Sequence, residues 1–237
     1  MDTNAALMDK FINSVDWDWL NHSGCFSEED YYEVSRYVDP DDFNCASGAT
    51  KLVLIPCEEQ EPYVIKIPFT KLYSDDAYDE ENDCYGAYVD LEGAPFGYGF
   101  DYCHAEEVLV ARAKEFGIGD FFPETEIYQA NPFPVYIQEK CEVMYNHRSK
   151  TRTPAEIHQG THNLEQNASP VQADWLDTFA DSWLLDAVEW YGETKLFQLF
   201  DFLTMYGISD FHSANYGYAV GDHRPVLIDF SGFNEAY

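Results

Sequence analysis

Basic residues are scarce in this chain. Of its 237 residues, 13 are Lys or Arg and 44 are Asp or Glu, a formal charge of -31. A field of that sign repels nucleic-acid backbones and draws in basic partners, so direct nucleic-acid binding is not expected. An acidic surface can instead imitate DNA and occupy a DNA-handling protein. Long hydrophobic runs are missing as well: no stretch of eighteen apolar residues occurs, and the start carries no basic, apolar signal sequence. A membrane span is therefore not expected, and a cytoplasmic location is. The six cysteines (Cys25, Cys45, Cys57, Cys84, Cys103, Cys141) show no Cys-x-x-Cys spacing. Reduced thiols are favoured over a disulfide frame or a zinc site. No internal repeat is evident.

What is present argues for a packed globule. Apolar residues make up 46% and aromatics 17%, too much for the acidity to be read as disorder. Helical spacing of Leu7, Phe11, Ile12 and Val15, then a helix start at Ser27 followed by Glu28, Glu29 and Asp30, places two short helices first. Small residues Ala46, Ser47, Gly48 and Ala49 lead into a strand over 52–55, and 63–69 alternates about Ile65 and Ile67, giving a hairpin. Residues 74–101 are acidic, rich in Tyr and Gly and without period, which reads as an insertion. A helix over 103–116 stops at Gly117, with Val108, Leu109 and Ala111 as its inward face. Strands are expected over 126–130 and 134–137, and a polar, exposed linker over 147–170. Trp175, Phe179, Trp183, Ala187 and Trp190, then Leu196, Leu199, Phe200 and Leu203, give two core helices.

The chemistry-bearing side chains gather in residues 206–233, YGISDFHSANYGYAVGDHRPVLIDFSGF. A loop carries Asp210 and Asn215, a hairpin turns at Gly221 and Asp222, an apolar strand covers 225–228, and Asp229 follows. Asp210 is placed to accept a proton from an attacking hydroxyl. Asn215 and Asp229 offer oxygen ligands to a hard cation such as Mg2+. The plainer alternative is that these are ordinary turn residues. Lys66 stands out too, as one of five Lys or Arg in the first 101 residues against 23 Asp or Glu. Inside an apolar strand its ammonium needs a partner, unless the strand is at an edge and the tip reaches water. Glu106 and Glu107 are the candidates; they also suit the helix dipole of a first turn.

The spacing Asp-x-x-x-x-Asn, then Asp-Phe-Ser-Gly, resembles the catalytic and metal-binding loops of the protein-kinase-like superfamily. The form Asp210-x-His212-x-x-Asn215 looks most like the small serine/threonine protein kinases of phages and the aminoglycoside and choline kinases. Val-Ile-Lys66-Ile resembles the kinase strand lysine that contacts phosphates and pairs with a helix glutamate. The motif Glu-Val-Leu-Val favours Glu107 in that role, with Glu106 close behind. The loop with Ser47 and Gly48 resembles the phosphate-covering loop, and Gln138-Glu139-Lys140-Cys141 resembles the hinge whose backbone meets adenine.

The resemblance covers residues 44–233. It implies an α+β, protein-kinase-like two-lobed fold: an N-terminal helical extension (1–40), a β-rich N-lobe (41–143, with an acidic insertion over 73–102), and a truncated, mainly helical C-lobe (144–237). It implies ATP and Mg2+ as cofactors, with Asp210, Lys66 and Glu107 catalytic, Ser47, Gly48, Lys66, Glu139 and Cys141 at the nucleotide, and Asn215 and Asp229 on the metal. His212 is expected to brace the loop. The activity implied is phosphorylation of Ser or Thr on a host protein by a phage-encoded kinase. Departures from the pattern are Ile208 in place of the usual histidine, Ser231 within Asp-Phe-Ser-Gly, a single Gly48, and the end of the chain at Tyr237, eight residues past Asp229. On that count a peptide-seating lobe is not expected. The alternative is a weak or inactive kinase-like acidic protein that binds and inhibits a basic-surfaced or DNA-handling host protein.

Overall fold

The computed structural model describes residues 41–47, 51–57, 61–68, 71–79, 84–90, 102–129, 135–144, 152–208 and 211–229. The helices expected within 1–40 lie outside them. The fold is α+β, with antiparallel strands and five α-helices among the described residues. Two compact units emerge, one within Met1–Glu107 and Glu124–Gln138, the other within Val108–Pro123 and Glu139–Tyr237.

The first unit holds a five-stranded sheet. Its strands are β1 (Phe43–Ser47), β2 (Lys51–Pro56), β3 (Tyr63–Pro68), β6 (Thr125–Gln129) and β7 (Val135–Glu139), in the order β1-β2-β3-β7-β6. Antiparallel pairing of β2 with β3 sets Leu52 opposite Ile67, Val53 opposite Lys66 and Leu54 opposite Ile65. Side chains alternate faces along a strand, so Leu52, Leu54, Ile65 and Ile67 share one face and Lys51, Val53, Val64 and Lys66 the other. The central position of β3 buries both of its faces. Lys66 is thus no edge-strand lysine: it is 4% exposed.

The first part of 74–101, expected as an insertion without strand period, lies instead in a hairpin. β4 (Lys71–Asp79) pairs antiparallel with β5 (Cys84–Asp90), with a shift in register between Ser74 and Tyr78. Helix α1 (Tyr102–Glu115) follows. It ends as the sequence indicates: Gly117 takes φ +76°, Gly117 N–H bonds Lys114 C=O at 3.0 Å, and Ile118 N–H bonds Ala113 C=O at 2.9 Å. That pair of bonds is a glycine C-cap closing the last turn. Its buried stripe differs from the expected one. Cys103, Ala105, Glu106, Leu109, Val110 and Ala113 face inward, and Ala111 is exposed.

The second unit joins a small sheet to the later part of α1 and to four further helices. β8 (Cys141–Val143), β9 (Tyr216–Ala219) and β10 (Pro225–Leu227) form an antiparallel sheet in the order β10-β9-β8. The expected linker over 147–170 is instead largely helix: α2 spans Pro154–Asn167. Thr153 caps it, accepting from Glu156 N–H at 3.3 Å, while the Glu156 carboxylate accepts from Thr153 N–H at 2.7 Å. Each satisfies a donor that a helix start would leave open. The aromatic period from Trp175 to Trp190 is divided between α3 (Pro170–Leu176) and α4 (Asp181–Tyr191), and α5 spans Glu193–Met205. Phe179 sits at the centre of the core, stacked on Trp183 at 4.9 Å and on Phe200 at 6.0 Å, with Tyr216 edge-on at 5.1 Å. Leu196, Leu199, Phe200 and Leu203 are fully buried, as their spacing indicates.

Candidate functional site

One face of the first unit's sheet carries a polar interior. Lys51, Lys66 and Glu106 are 3%, 4% and 2% exposed. Charges at that depth persist only when paired and hydrogen-bonded. Lys66 Nζ donates to Glu106 Oε2 at 2.9 Å, and Lys51 Nζ donates to Glu106 Oε1. Gln138 Nε2 donates to the same Oε2 at 3.2 Å and to Thr125 Oγ1 at 2.8 Å. Thr125 and Gln138 stand opposite each other in the β6–β7 ladder, so the two strands present one amide to the carboxylate. The glutamate that meets Lys66 is therefore Glu106 and not the expected Glu107, which is only partly buried. Lys51, which the sequence reading passed over, belongs to the same cluster.

Within the second unit the loop before β9 is tied to the chain after β10. Asn215 C=O accepts from Ile228 N–H at 2.7 Å and from Asp229 N–H at 3.1 Å. These bonds bring Asn215, buried, beside Asp229, partly buried. Two residues with oxygen-bearing side chains thus leave adjoining backbone. No group of three or more His, Cys, Asp or Glu able to hold a metal occurs among the described residues. His212 accepts from Ala214 N–H through Nδ1 at 3.2 Å, and its carbonyl accepts from Asn215 N–H at 2.8 Å. It braces the loop, as expected. Asp210 lies outside the described residues.

The segment expected as a hinge is anchored by its side chains. Glu139 binds Arg224 with both oxygens, through Nη2 and through Nη1 at 2.8 Å. Burial opposes the Arg224 charge, but the hydrogen bond and attraction to Glu139 outweigh it and hold the guanidinium above its ordinary pKa. Arg224 Nε also donates to Asp120 C=O at 3.1 Å. The Glu139 side chain is thus held by Arg224. Lys140 C=O accepts from Val220 N–H, and Tyr216 C=O accepts from Met144 N–H. Alternation in an antiparallel ladder then turns the N–H and C=O of Cys141 away from β9. Ser47 closes β1, opposite Leu52, and Gly48 lies outside the described residues.

A second network fixes β9 to α4. Trp183 Nε1 donates to Gly217 C=O at 2.9 Å, Ala180 N–H donates to Tyr216 Oη at 3.0 Å, and Tyr218 Oη donates to Asp186 Oδ2 at 2.6 Å. Arg152 holds the other Asp186 oxygen at 2.5 Å. Burial, reinforced by the bond to Asp186, pushes the Tyr218 hydroxyl pKa well up.

The class these observations define is an α+β chain with a buried lysine–glutamate cluster in one unit and an Asn–Asp pair in the other. Compared with known proteins, the chain matches no family model, no curated protein and no solved structure. No helix among the described residues is long and apolar enough to cross a membrane.

Proposed function

We propose that the chain is an ATP-dependent, kinase-like phosphotransferase of the two-lobed type, acting on Ser or Thr hydroxyls of a host protein and most similar to the phage enzymes. The observation that carries this reading is the buried Lys66–Glu106 pair. A buried ion pair is a weak source of stability, since desolvation offsets most of the attraction. Its presence on a central strand is accounted for if the ammonium has work to do. Lys66 donates to one carboxylate oxygen, and an ammonium has two further donors that would suit an anion such as the phosphates of a nucleotide. Asn215 and Asp229 would hold Mg2+, which would supply charge neutralisation to phosphate oxygens. Asp210 would orient the acceptor hydroxyl and take its proton. Gly48 and the backbone at Cys141 would meet phosphate and adenine.

The test is ATP-dependent labelling by the full chain with Mg2+ or Mn2+, in cell lysate and alone. Lys66→Ala and Asp210→Ala are each expected to abolish label while circular dichroism stays unchanged. Absence of label from the wild-type chain under every metal condition would contradict the reading.

The charge of -31 favours a second reading, a kinase-like acidic protein that blocks a basic-surfaced or DNA-handling host protein without catalysis. There the double variant Lys66→Ala, Asp210→Ala is expected to keep its full biological effect. Loss of effect in that variant eliminates this alternative.

A further inference from the structure

The two oxygens of Glu106 are used differently. Oε2 receives Lys66 and Gln138, and Oε1 receives Lys51. The two lysines come from neighbouring strands and one face: Lys66 stands opposite Val53, and Lys51 lies two residues before Val53, a diagonal step that long side chains readily span. An ammonium carries three N–H donors. Among the described residues Lys66 gives one to Glu106, at a depth of 4% exposure where water offers little replacement. A second ammonium on Oε1 would meet the like charge of Lys51, and Lys66 sits on Oε2. It therefore does not straddle the carboxylate.

We propose that Lys51 is a positioning residue. By holding Glu106 Oε1 it fixes the carboxylate plane, confines Lys66 to Oε2, and leaves the other Lys66 donors directed at an anionic ligand. Remove Lys51, and Lys66 turns onto both oxygens and has one donor fewer to offer. For the identity of the anion, a nucleotide phosphate, the inference rests on the phosphotransferase reading. For the control of Lys66 by Lys51 it rests on the geometry of Glu106 alone.

The experiment compares the full chain as wild type, Lys51→Met, Lys51→Arg and Lys66→Met, with two readouts. One is the calorimetric Kd for Mg-ATP. The other, without nucleotide, is the 15Nζ resonance of Lys66, assigned by its loss in Lys66→Met. Loss of one charge-assisted hydrogen bond is expected to weaken Mg-ATP binding about 10- to 100-fold in Lys51→Met. Lys51→Arg should recover most of it, and the Lys66 resonance should move in the first variant and return in the second. A lowered Tm with unchanged Kd in Lys51→Met would reveal a merely structural residue and overturn the proposal. Should Lys51→Met fail to fold, Lys51→Gln, which keeps a donor, is expected to show the same changes at smaller size, and no change there also overturns it. If the wild type binds no Mg-ATP, the phosphotransferase reading fails by itself. The Lys66 resonance then still decides: movement upholds the control by Lys51, and no movement overturns it.

Discussion

Glu106 compensates two buried cations with one carboxylate, so its loss should be severe. Glu106→Ala strands two buried ammonium groups, and removing one partner of a buried pair costs about 3–5 kcal/mol. Glu107→Ala, one position around the helix, is expected to cost far less; urea denaturation midpoints of the two variants check this. Which glutamate faces inward was legible in the chain: Cys103, Glu106, Val110 and Ala113 recur at steps of three and four, the period of a single helix face. A local four-residue motif pointed to Glu107 instead, and the helical period decided the matter. Lys51 escaped notice because it begins a strand whose start was read as loop. Tyr218 offers a pH test. Its folded-state pKa is raised above the ordinary value of 10.0, with burial the main cause and Asp186 the next. The folded form keeps a proton that the unfolded chain releases, so this stabilisation is complete below about pH 10 and fades as the pH rises further. Tyr218→Phe should cost roughly 1 kcal/mol at neutral pH and flatten the alkaline loss of stability. Denaturation curves across that pH range measure both.

At the scale of elements, helix starts and close strand contacts carry the expectations. Thr153→Ala removes the cap of α2 and should lower stability by about 1 kcal/mol, seen as a reduced denaturation midpoint. Gly217 lies where β9 passes β8 so closely that an added Cβ would come within 2.0 Å of the Glu142 carbonyl oxygen. Gly217→Val must push the strands apart, at about 1–3 kcal/mol, and should speed hydrogen exchange at the Met144 and Val220 amides. The strands of β2–β3, β6–β7 and β9–β10 could be read as short apolar and aromatic runs bounded by turn residues, although β6 leaves Ile127 and Tyr128 exposed. The β4–β5 hairpin could not, because acids and tyrosines stand where apolar alternation was sought. Tyrosine still favours strands, and the ladder pairs the backbone of Tyr73 with Tyr88 and of Tyr78 with Tyr85. The α2 helix was concealed by its polar composition, with Leu164 its one fully buried residue. Yet Thr-Pro-Ala-Glu at 153–156 is a capping signature in plain view.

For the molecule as a whole, charge and chemistry make separable demands. A partner held by a net charge of -31 should lose affinity steeply as salt rises from about 0.05 M to 0.5 M, where screening shortens to a few ångströms. Binding of a nucleotide at a buried lysine should respond much less. The order of elements was largely legible because burial imposes period. The site was legible only in part, because its lysine–glutamate partnership joins residues 40 positions apart and no local pattern records which acid closes it. The most direct measurement is a calorimetric titration of the wild-type chain and Lys66→Met with Mg-ATP. The expected result is saturable one-site binding by the wild type, with a raised Tm, and no detectable binding by the variant. Equal heats from both proteins, or none from the wild type, would contradict a phosphate-holding role for Lys66.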